Sequence, residues 1–419
     1  MDRFVINGRK KLHGTVKTDG SKNAGLPIIA SAILITRGEV ELENIPPLRD
    51  IYTIKKVMEH LGAMVEYDPK SMKMSIDASG INENTAPYEL MRQMRASFLV
   101  LGPLLGRLGE ARVSLPGGCS LGARPVDYHI NGFKSLGAQV TEDAGYIIAR
   151  AKPLKGATIH FDRPSHTGTE NIIFGAVLAK GTTRIVNAAC DPEVVDVANF
   201  LNLAGAKIKG AGTSTVTVEG VKSLKAVKYK VSGDRLVAGT YLCAGAITGG
   251  AVETTGINPS HLTMLSRKLY EMGCSVTEGK SSIKVVAPKR LKPVKVVTFP
   301  FPGFPTDLQA CIMALATVAE GTSSIKETVF EDRFGHTMEL RRLGADVTVT
   351  SDEAIVKGVE LLKGASVMAS DIRAGAGLVL ACLASEGASE VLRVYHVDRG
   401  YCRMEEKLSS LGADIKRVE

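Results

Sequence analysis

A helix that ends in glycine recurs six times along this chain: MEHLGAMVE, FKSLGAQVT, LNLAGAKIK, LYEMGCSVT, LRRLGADVT and LSSLGADIK. The marker glycines are Gly62, Gly137, Gly205, Gly273, Gly344 and Gly412, spaced 75, 68, 68, 71 and 68 residues apart. Self-similarity at such a period marks a chain built from one supersecondary unit used repeatedly, and it restricts the fold more than any short motif. Each glycine follows a helical pattern and precedes a β-branched run. That is where a residue able to adopt the left-handed conformation ends a helix.

A second marker lies 23 to 28 residues ahead of each glycine: RGEVELEN, LGEARVSL, KGTTRIVN, GGAVETTG, EGTSSIKE and EGASEVLR. Each reads as a turn followed by an alternating strand. Ahead of that comes a helix apolar nearly all round, as in NAGLPIIASAILI, ASFLVLGPLLGRL, ENIIFGAVLAK, GTYLCAGAITGG, LQACIMALATVAE and AGAGLVLACLASE. A helix without a polar face is buried on every side. Each repeat therefore predicts a buried helix, a strand, an exposed helix and further strands. Six copies predict an α/β fold of two three-repeat lobes, with the inner helices as lobe cores and the sheets around them. Short strands would join the lobes, with a cleft between them.

Composition narrows the function. The chain has 419 residues and a net charge of +8, with 5% aromatics and no tryptophan. Such a charge suits an anionic small substrate, a nucleic acid or an acidic surface. No basic tail or helix stands out, and few rings are available for base stacking, so no nucleic-acid partner is expected. No apolar run reaches the ~18 residues of a membrane span, so no membrane partner is expected either. The start, MDRFVINGRK, is polar and charged. The seven cysteines are odd in number and form no CxxC, which argues for a reducing cytoplasm. Cys243, Cys311 and Cys382 sit in apolar helical patterns and read as buried small hydrophobes. The histidines show no metal-ligand spacing, and neither a Walker motif nor a dinucleotide fingerprint occurs. Neither metal nor cofactor is expected.

The polar residues at the starts of the inner helices carry the chemistry. Buried helix N-termini hold unpaired N–H groups and partial positive charge, which attract anions. Ser21, Lys22, Asn23, Arg92, Arg95, Ser165, His166, Thr167, Asp234, Arg235, Thr306, Asp307, Asp371 and Arg373 stand there. Lys22, Arg95, Arg124, Arg333, Arg373 and Arg399 are candidates for one cationic site, since guanidinium groups bind phosphate and carboxylate oxygens in pairs. Each is also open to a plainer reading as a solvated charge or an ion pair. Arg333 in FEDRFGH and Arg399 in HVDRGY each follow an aspartate, which favours a local pair. Asp307, opening an apolar helix in FPTDLQACIM, is either a first-turn or capping acid or a general base among cations. Cys119 lies in LPGGCSLGARP, between a glycine pair and a turn, five residues from Arg124. A thiol there is an incidental loop residue, or an acid, a nucleophile, or both.

The motifs SKNAGLP, MRASF, PGGCSLGARPVD, FPTDLQA, ETVFEDRF, DIRAGAGLVLA and HVDRGYCR occur in that order. Together with the repeats, this chain resembles the enolpyruvyl transferases nearly end to end. The resemblance implies an inside-out α/β barrel architecture in two domains. One would be formed by the chain ends, residues 1–20 and 231–419, and the other by residues 21–230, carrying the Cys119 loop. It implies transfer of the enolpyruvyl group of phosphoenolpyruvate to the 3-hydroxyl of UDP-N-acetylglucosamine, the first committed step of peptidoglycan synthesis, without a cofactor. It implies that Lys22, Arg124 and Arg399 hold phosphoenolpyruvate, with Arg373, Arg333 and Asn23 at the same substrate. Asn23 and Asp307 would touch the sugar, Asp307 at the reacting hydroxyl. Arg95, the run Pro125, Val126, Asp127, Tyr128 and His129, the residues Arg163, Ser165, His166 and Thr167, and the backbone of Val329 would contact the nucleotide sugar. Cys119 would be the thiol that bonds to phosphoenolpyruvate and is alkylated by fosfomycin. Three other readings remain at this level: the sister activity on shikimate-3-phosphate, a silent nucleotide-sugar-binding paralogue, and an RNA-end-processing protein on a related repeat. The pattern sets no oligomeric state.

Overall fold

A computed structural model describes residues 2–92, 94–115 and 126–419. Six inner helices follow one another along the chain: α1 (Lys22–Ser31), α2 (Leu101–Leu108), α3 (His166–Val177), α4 (Arg235–Ile247), α5 (Gln309–Ala316) and α6 (Ile372–Ala384). All thirteen residues of α4 are buried, as an apolar circumference requires. Each inner helix leads to a strand and then to an outer helix. Arg49–His60 illustrates the outer type. It buries Ile51, Ile54, Val57 and Met58, which recur at helical spacing, and leaves its basic residues outside. The six marker glycines all have φ between +87° and +106°, so each ends its outer helix in the left-handed region.

Among the described residues the strands form six four-stranded sheets of one pattern, a parallel pair at one edge and two antiparallel pairs beyond it. The parallel edge strand comes from the preceding repeat. Thr85–Ala86 pairs with Glu110–Ser114, for example, and Thr158–His160 with Thr182–Val186. The alternating burial of Glu39–Glu43 and Thr215–Glu219 shows one face of each sheet turned inward.

The described residues fall into two compact units, one running from Gly20 to Ser232 and the other holding the residues up to Asp19 and from Gly233 to Glu419. In the first, Lys228–Lys230 returns to pair with Glu39–Glu43 and closes the cycle of three sheets. In the second, closure falls to the beginning of the chain. Arg3–Asn7 inserts between Ala388–Leu392 and Asp414–Val418, antiparallel to both, and His13–Lys17 pairs with Ala251–Thr255. Each unit is an inside-out α/β barrel, its helices central and its sheets peripheral. The inner helices approach closely where a side chain is missing. A Cβ at Gly377 on α6 would stand 2.7 Å from the Ala310 carbonyl oxygen on α5, and one at Gly102 on α2 would stand 2.4 Å from that of Asn171 on α3.

Two inner segments differ from a simple helical reading. ASFLVLGPLLGRL begins as a 3-10 helix, Arg95–Val100, and becomes α-helical only at Leu101. Pro103 falls in the first turn of that α-helix, where its missing N–H leaves no intrahelical bond unmade. The segment before α5 likewise opens with a 3-10 turn, Thr306–Leu308.

Candidate functional site

Asp307 sits in that 3-10 turn. It does not cap the helix: the cap position is Pro305, which offers no side-chain hydrogen bond. Its carboxylate is shared by two guanidinium groups. Arg333 donates from Nη2 to Oδ1 at 2.9 Å, and Arg373 from Nε to Oδ2 at 3.1 Å. Both arginine side chains are over nine-tenths buried, whereas 26% of the Asp307 side chain remains exposed. Burial alone would raise the Asp307 pKa, but the two cations outweigh it and hold the carboxyl well below its ordinary range. Arg333 therefore does not pair with its neighbour Asp332, as local sequence suggests. Asp398 likewise turns away from Arg399 and binds Arg417 in bidentate fashion, at 3.1 and 2.5 Å. Arg399 is half-buried at the end of the turn Val394–Arg399.

The helix starts explain this placement. Asp371 caps α6 by accepting from the N–H groups of Arg373 and Ala374, at 2.9 and 3.0 Å, which fixes where Arg373 leaves the helix. Arg373 also donates from Nη1 to Tyr401 Oη, at 3.1 Å. Near Asp307, the buried Glu327 gathers a loop. It accepts from Thr298 Oγ1 and the Val329 N–H, both at 2.8 Å, and from Thr306 Oγ1 at 2.9 Å. The Val329 N–H is thus engaged within the protein. His336, 2% exposed, lies close to Arg333 and Asp371, and burial drives its pKa down to about 4.

In the other unit, Ser21 caps α1 and Lys22 follows it. The Lys22 ammonium is buried and meets Asp50 Oδ2 at 3.2 Å. Asn23 beside it is half-buried. Ser165 caps α3 through the Gly168 N–H. His129 is anchored from inside. The Gly102 N–H donates to Asn171 Oδ1 at 2.7 Å, which orients the Asn171 amide so that Nδ2 donates to His129 Nδ1 at 2.9 Å. The imidazole proton then sits on Nε2, facing Thr167 Oγ1 at 3.4 Å. Val126 precedes the outer helix Asp127–Ser135. Asp127 is exposed in its first turn, and the Tyr128 ring lies 5.2 Å from that of Phe161. Arg163 is exposed.

His166 lies 3.1 Å from Glu170 Oε1 through Nε2 and 3.8 Å from Asp191 Oδ1 through Nδ1. Burial disfavours its cation, but these carboxylates prevail and hold its pKa well above the usual value. His166, Asp191 and Glu193 each bring a ligand-type atom within 4.8 Å of the others, which residue spacing does not reveal.

Of the residues singled out from sequence, Asp307, Arg333 and Arg373 are thus brought into direct contact, as are His129 and Thr167. Cys119, Arg124 and Pro125 lie outside the described residues, as does the side chain of Arg95. Asp50, Glu327 and Tyr401 were not singled out. The one signal for Asp50 is an acid in the first turn of an outer helix. Tyr401 directly follows HVDRG, and Glu327 opens ETVFEDRF.

The profile of the family described as EPSP synthase (3-phosphoshikimate 1-carboxyvinyltransferase) matches residues 6–408. The chain is 50% identical over 418 residues to the UDP-N-acetylglucosamine 1-carboxyvinyltransferase of Desulfosudis oleivorans, covering 100% of both chains. It is 51% identical over 418 residues to the protein of that name from Myxococcus xanthus, covering 100% of this chain and 99% of the other. Among solved structures, the enolpyruvyl transferase NikO from Streptomyces tendae superposes with a TM-score of 0.89 at 26% identity, over 100% of this chain and 99% of that one. EPSP synthase from Acinetobacter baumannii superposes at 0.75 and 19% identity over the whole of both chains, a likeness of fold alone. Full-length identity of this order places the chain in a family: it belongs to the UDP-N-acetylglucosamine 1-carboxyvinyltransferases, among the enolpyruvyl transferases of the EPSP synthase family.

Proposed function

We propose that this protein transfers the enolpyruvyl group of phosphoenolpyruvate to the 3-hydroxyl of UDP-N-acetylglucosamine, releasing phosphate, as the first committed step of peptidoglycan synthesis. The observation that carries the chemical reading is Asp307 held between Arg333 and Arg373 at the heads of two buried helices. A carboxylate so clamped is a poor base. It becomes a better one when a substrate anion shares the guanidinium groups and offsets their charge, because its pKa then climbs back toward the ordinary range. Binding of phosphoenolpyruvate thereby readies Asp307.

The reaction proceeds by addition and elimination. Carbon 3 of phosphoenolpyruvate gains a proton, and carbon 2 becomes electrophilic. Cys119 supplies or assists that proton. The 3-hydroxyl oxygen bonds to carbon 2 while its proton passes to Asp307, giving a tetrahedral ketal. Loss of a proton from carbon 3 and cleavage of the carbon 2–phosphate oxygen bond then release phosphate and leave the enol ether. Lys22, Arg124 and Arg399, with Arg333 and Arg373, hold the phosphate and carboxylate of phosphoenolpyruvate. Asn23 contacts the sugar. Arg95, residues 125–129, Arg163, residues 165–167 and the Val329 backbone serve the nucleotide sugar. Among the described residues no helix is long and apolar enough to cross a membrane. We place the reaction in the cytoplasm, which suits the buried thiols of Cys243, Cys311 and Cys382.

The test is phosphate release from phosphoenolpyruvate, with and without UDP-N-acetylglucosamine, repeated after fosfomycin. Release that needs the nucleotide sugar and stops with fosfomycin is expected. Release with shikimate-3-phosphate instead would establish the sister activity. No release from folded protein would favour a silent paralogue.

A further inference from the structure

We propose that Tyr401 is a positioning residue for this reaction. Anchored by Thr240, it holds the Arg373 guanidinium in the orientation that leaves one edge for a substrate anion. The proposal rests on the enolpyruvyl-transfer reading above.

The direction of each hydrogen bond follows from counting protons. Thr240 on α4 has one hydroxyl proton, and Oγ1 donates it to the Leu236 carbonyl at 2.9 Å, back-bonding within its own helix. The Thr240 oxygen can therefore only accept from Tyr401 Oη, 2.9 Å away. Tyr401 accordingly donates to Thr240, and its own lone pairs face the other way. There Arg373 donates from Nη1 at 3.1 Å. Tyr401 is 1% exposed, and burial holds its pKa above the ordinary value, so it stays a neutral hydroxyl with a fixed rotor.

The guanidinium has three nitrogens. Nε is committed to Asp307 and Nη1 to Tyr401. Nη2 has no partner among the described residues and is left for an incoming carboxylate or phosphate oxygen. The Arg373 guanidinium carbon also lies 5.4 Å from the Tyr401 ring centroid, so ring and hydroxyl restrain it together. Without the hydroxyl, Nη1 loses its partner and only Asp307 and the ring still orient the guanidinium. A loosening of this kind is costly where reacting groups must be oriented.

The test is steady-state phosphate release by the full chain, with kcat and both KM values measured for four forms. For Tyr401→Phe, which keeps the ring, kcat over KM for phosphoenolpyruvate is expected to fall roughly tenfold or more, as loss of a hydrogen bond to a charged group implies. The KM for UDP-N-acetylglucosamine should stay within about twofold, because the contact serves the anion-binding arginine. Thr240→Val should follow Tyr401→Phe, since the hydroxyl loses its anchor. Thr240→Ser should behave as wild type, since the anchor oxygen is kept. An active wild type matched by Tyr401→Phe in all constants would overturn the proposal alone. So would Thr240→Val and Thr240→Ser behaving alike, which decides the matter if Tyr401→Phe does not fold. Equal rises in both KM values would mean a general structural role and overturn it too. A silent wild type would overturn the functional reading, and this role with it.

Discussion

Arg333 reaches past the aspartate beside it in the chain and donates to Asp307, 26 residues earlier, across 2.9 Å. Arg373 takes the second oxygen of the same carboxylate. The triad is a charge arrangement first and a proton acceptor second. Asp307→Asn should lower kcat roughly a hundredfold or more while UDP-N-acetylglucosamine still binds. It should also cost about 2 kcal/mol of stability, because two buried cations lose their counter-ion. Phosphate release, calorimetric titration and urea unfolding check the three parts. Full turnover by this variant would remove Asp307 from the mechanism.

The buried pair of Lys22 and Asp50 makes a parallel case at the head of α1. Asp50→Asn keeps the shape and removes the charge. It should destabilise the protein by about 2–4 kcal/mol, since an ammonium remains buried opposite a neutral amide. KM for phosphoenolpyruvate should rise severalfold as Lys22 loses its aim. An unchanged urea midpoint would show that Lys22 finds equivalent partners elsewhere.

His336 makes stability depend on pH. Its native pKa of about 4 lies below the value near 6.5 of an exposed histidine, so the unfolded chain binds the proton more tightly. The stability involved is present above pH ~6.5 and drains away as pH falls toward about 4. Between pH 7 and pH 5 the loss should be about 1–2 kcal/mol. His336→Asn should flatten that part of the urea-midpoint curve. A variant as pH-sensitive as the parent would assign the acid loss to other groups.

Gly377→Ala probes the contact between inner helices. The added methyl would meet the Ala310 carbonyl oxygen at 2.7 Å, backbone that cannot swing aside. A loss of about 1–3 kcal/mol is expected, read as a lowered Tm. An unaltered Tm would mean that α5 and α6 can separate without cost.

How much of this was legible beforehand depended on whether the cause was local. The glycines ending the outer helices obey a one-residue rule, and all six adopt the required φ. Apolar circumference foretold burial of the inner helices, yet ENIIFGAVLAK began four residues too late. His166–Thr169 carry no apolar side chain, and only Ser165 as a cap shows that the helix already includes them. The partners of Arg333, Arg373 and Lys22 were not legible. Each comes from another segment of its repeat or from another repeat, at separations of 26 to 66 residues. For Arg333 and Arg399 the neighbouring aspartate suggested a local pair, and long-range packing chose otherwise. Tyr401 stands among charged residues in HVDRGYCRMEEK, and nothing in that local sequence points to Thr240 or Arg373. Only the proton count at Thr240 gives its oxygen a direction.

The strand Arg3–Asn7, seated between Ala388–Leu392 and Asp414–Val418, also sets an order of assembly. A ribosome emits this strand long before either of its two neighbours. The unit that runs from Gly20 to Ser232 owns all of its strands once residue 232 has emerged, and it can close during synthesis. The other must carry an unpaired, β-prone segment while the residues between Asn7 and Ala388 are made, some tens of seconds at typical elongation rates. Its closing step is the capture of an early strand between two late ones.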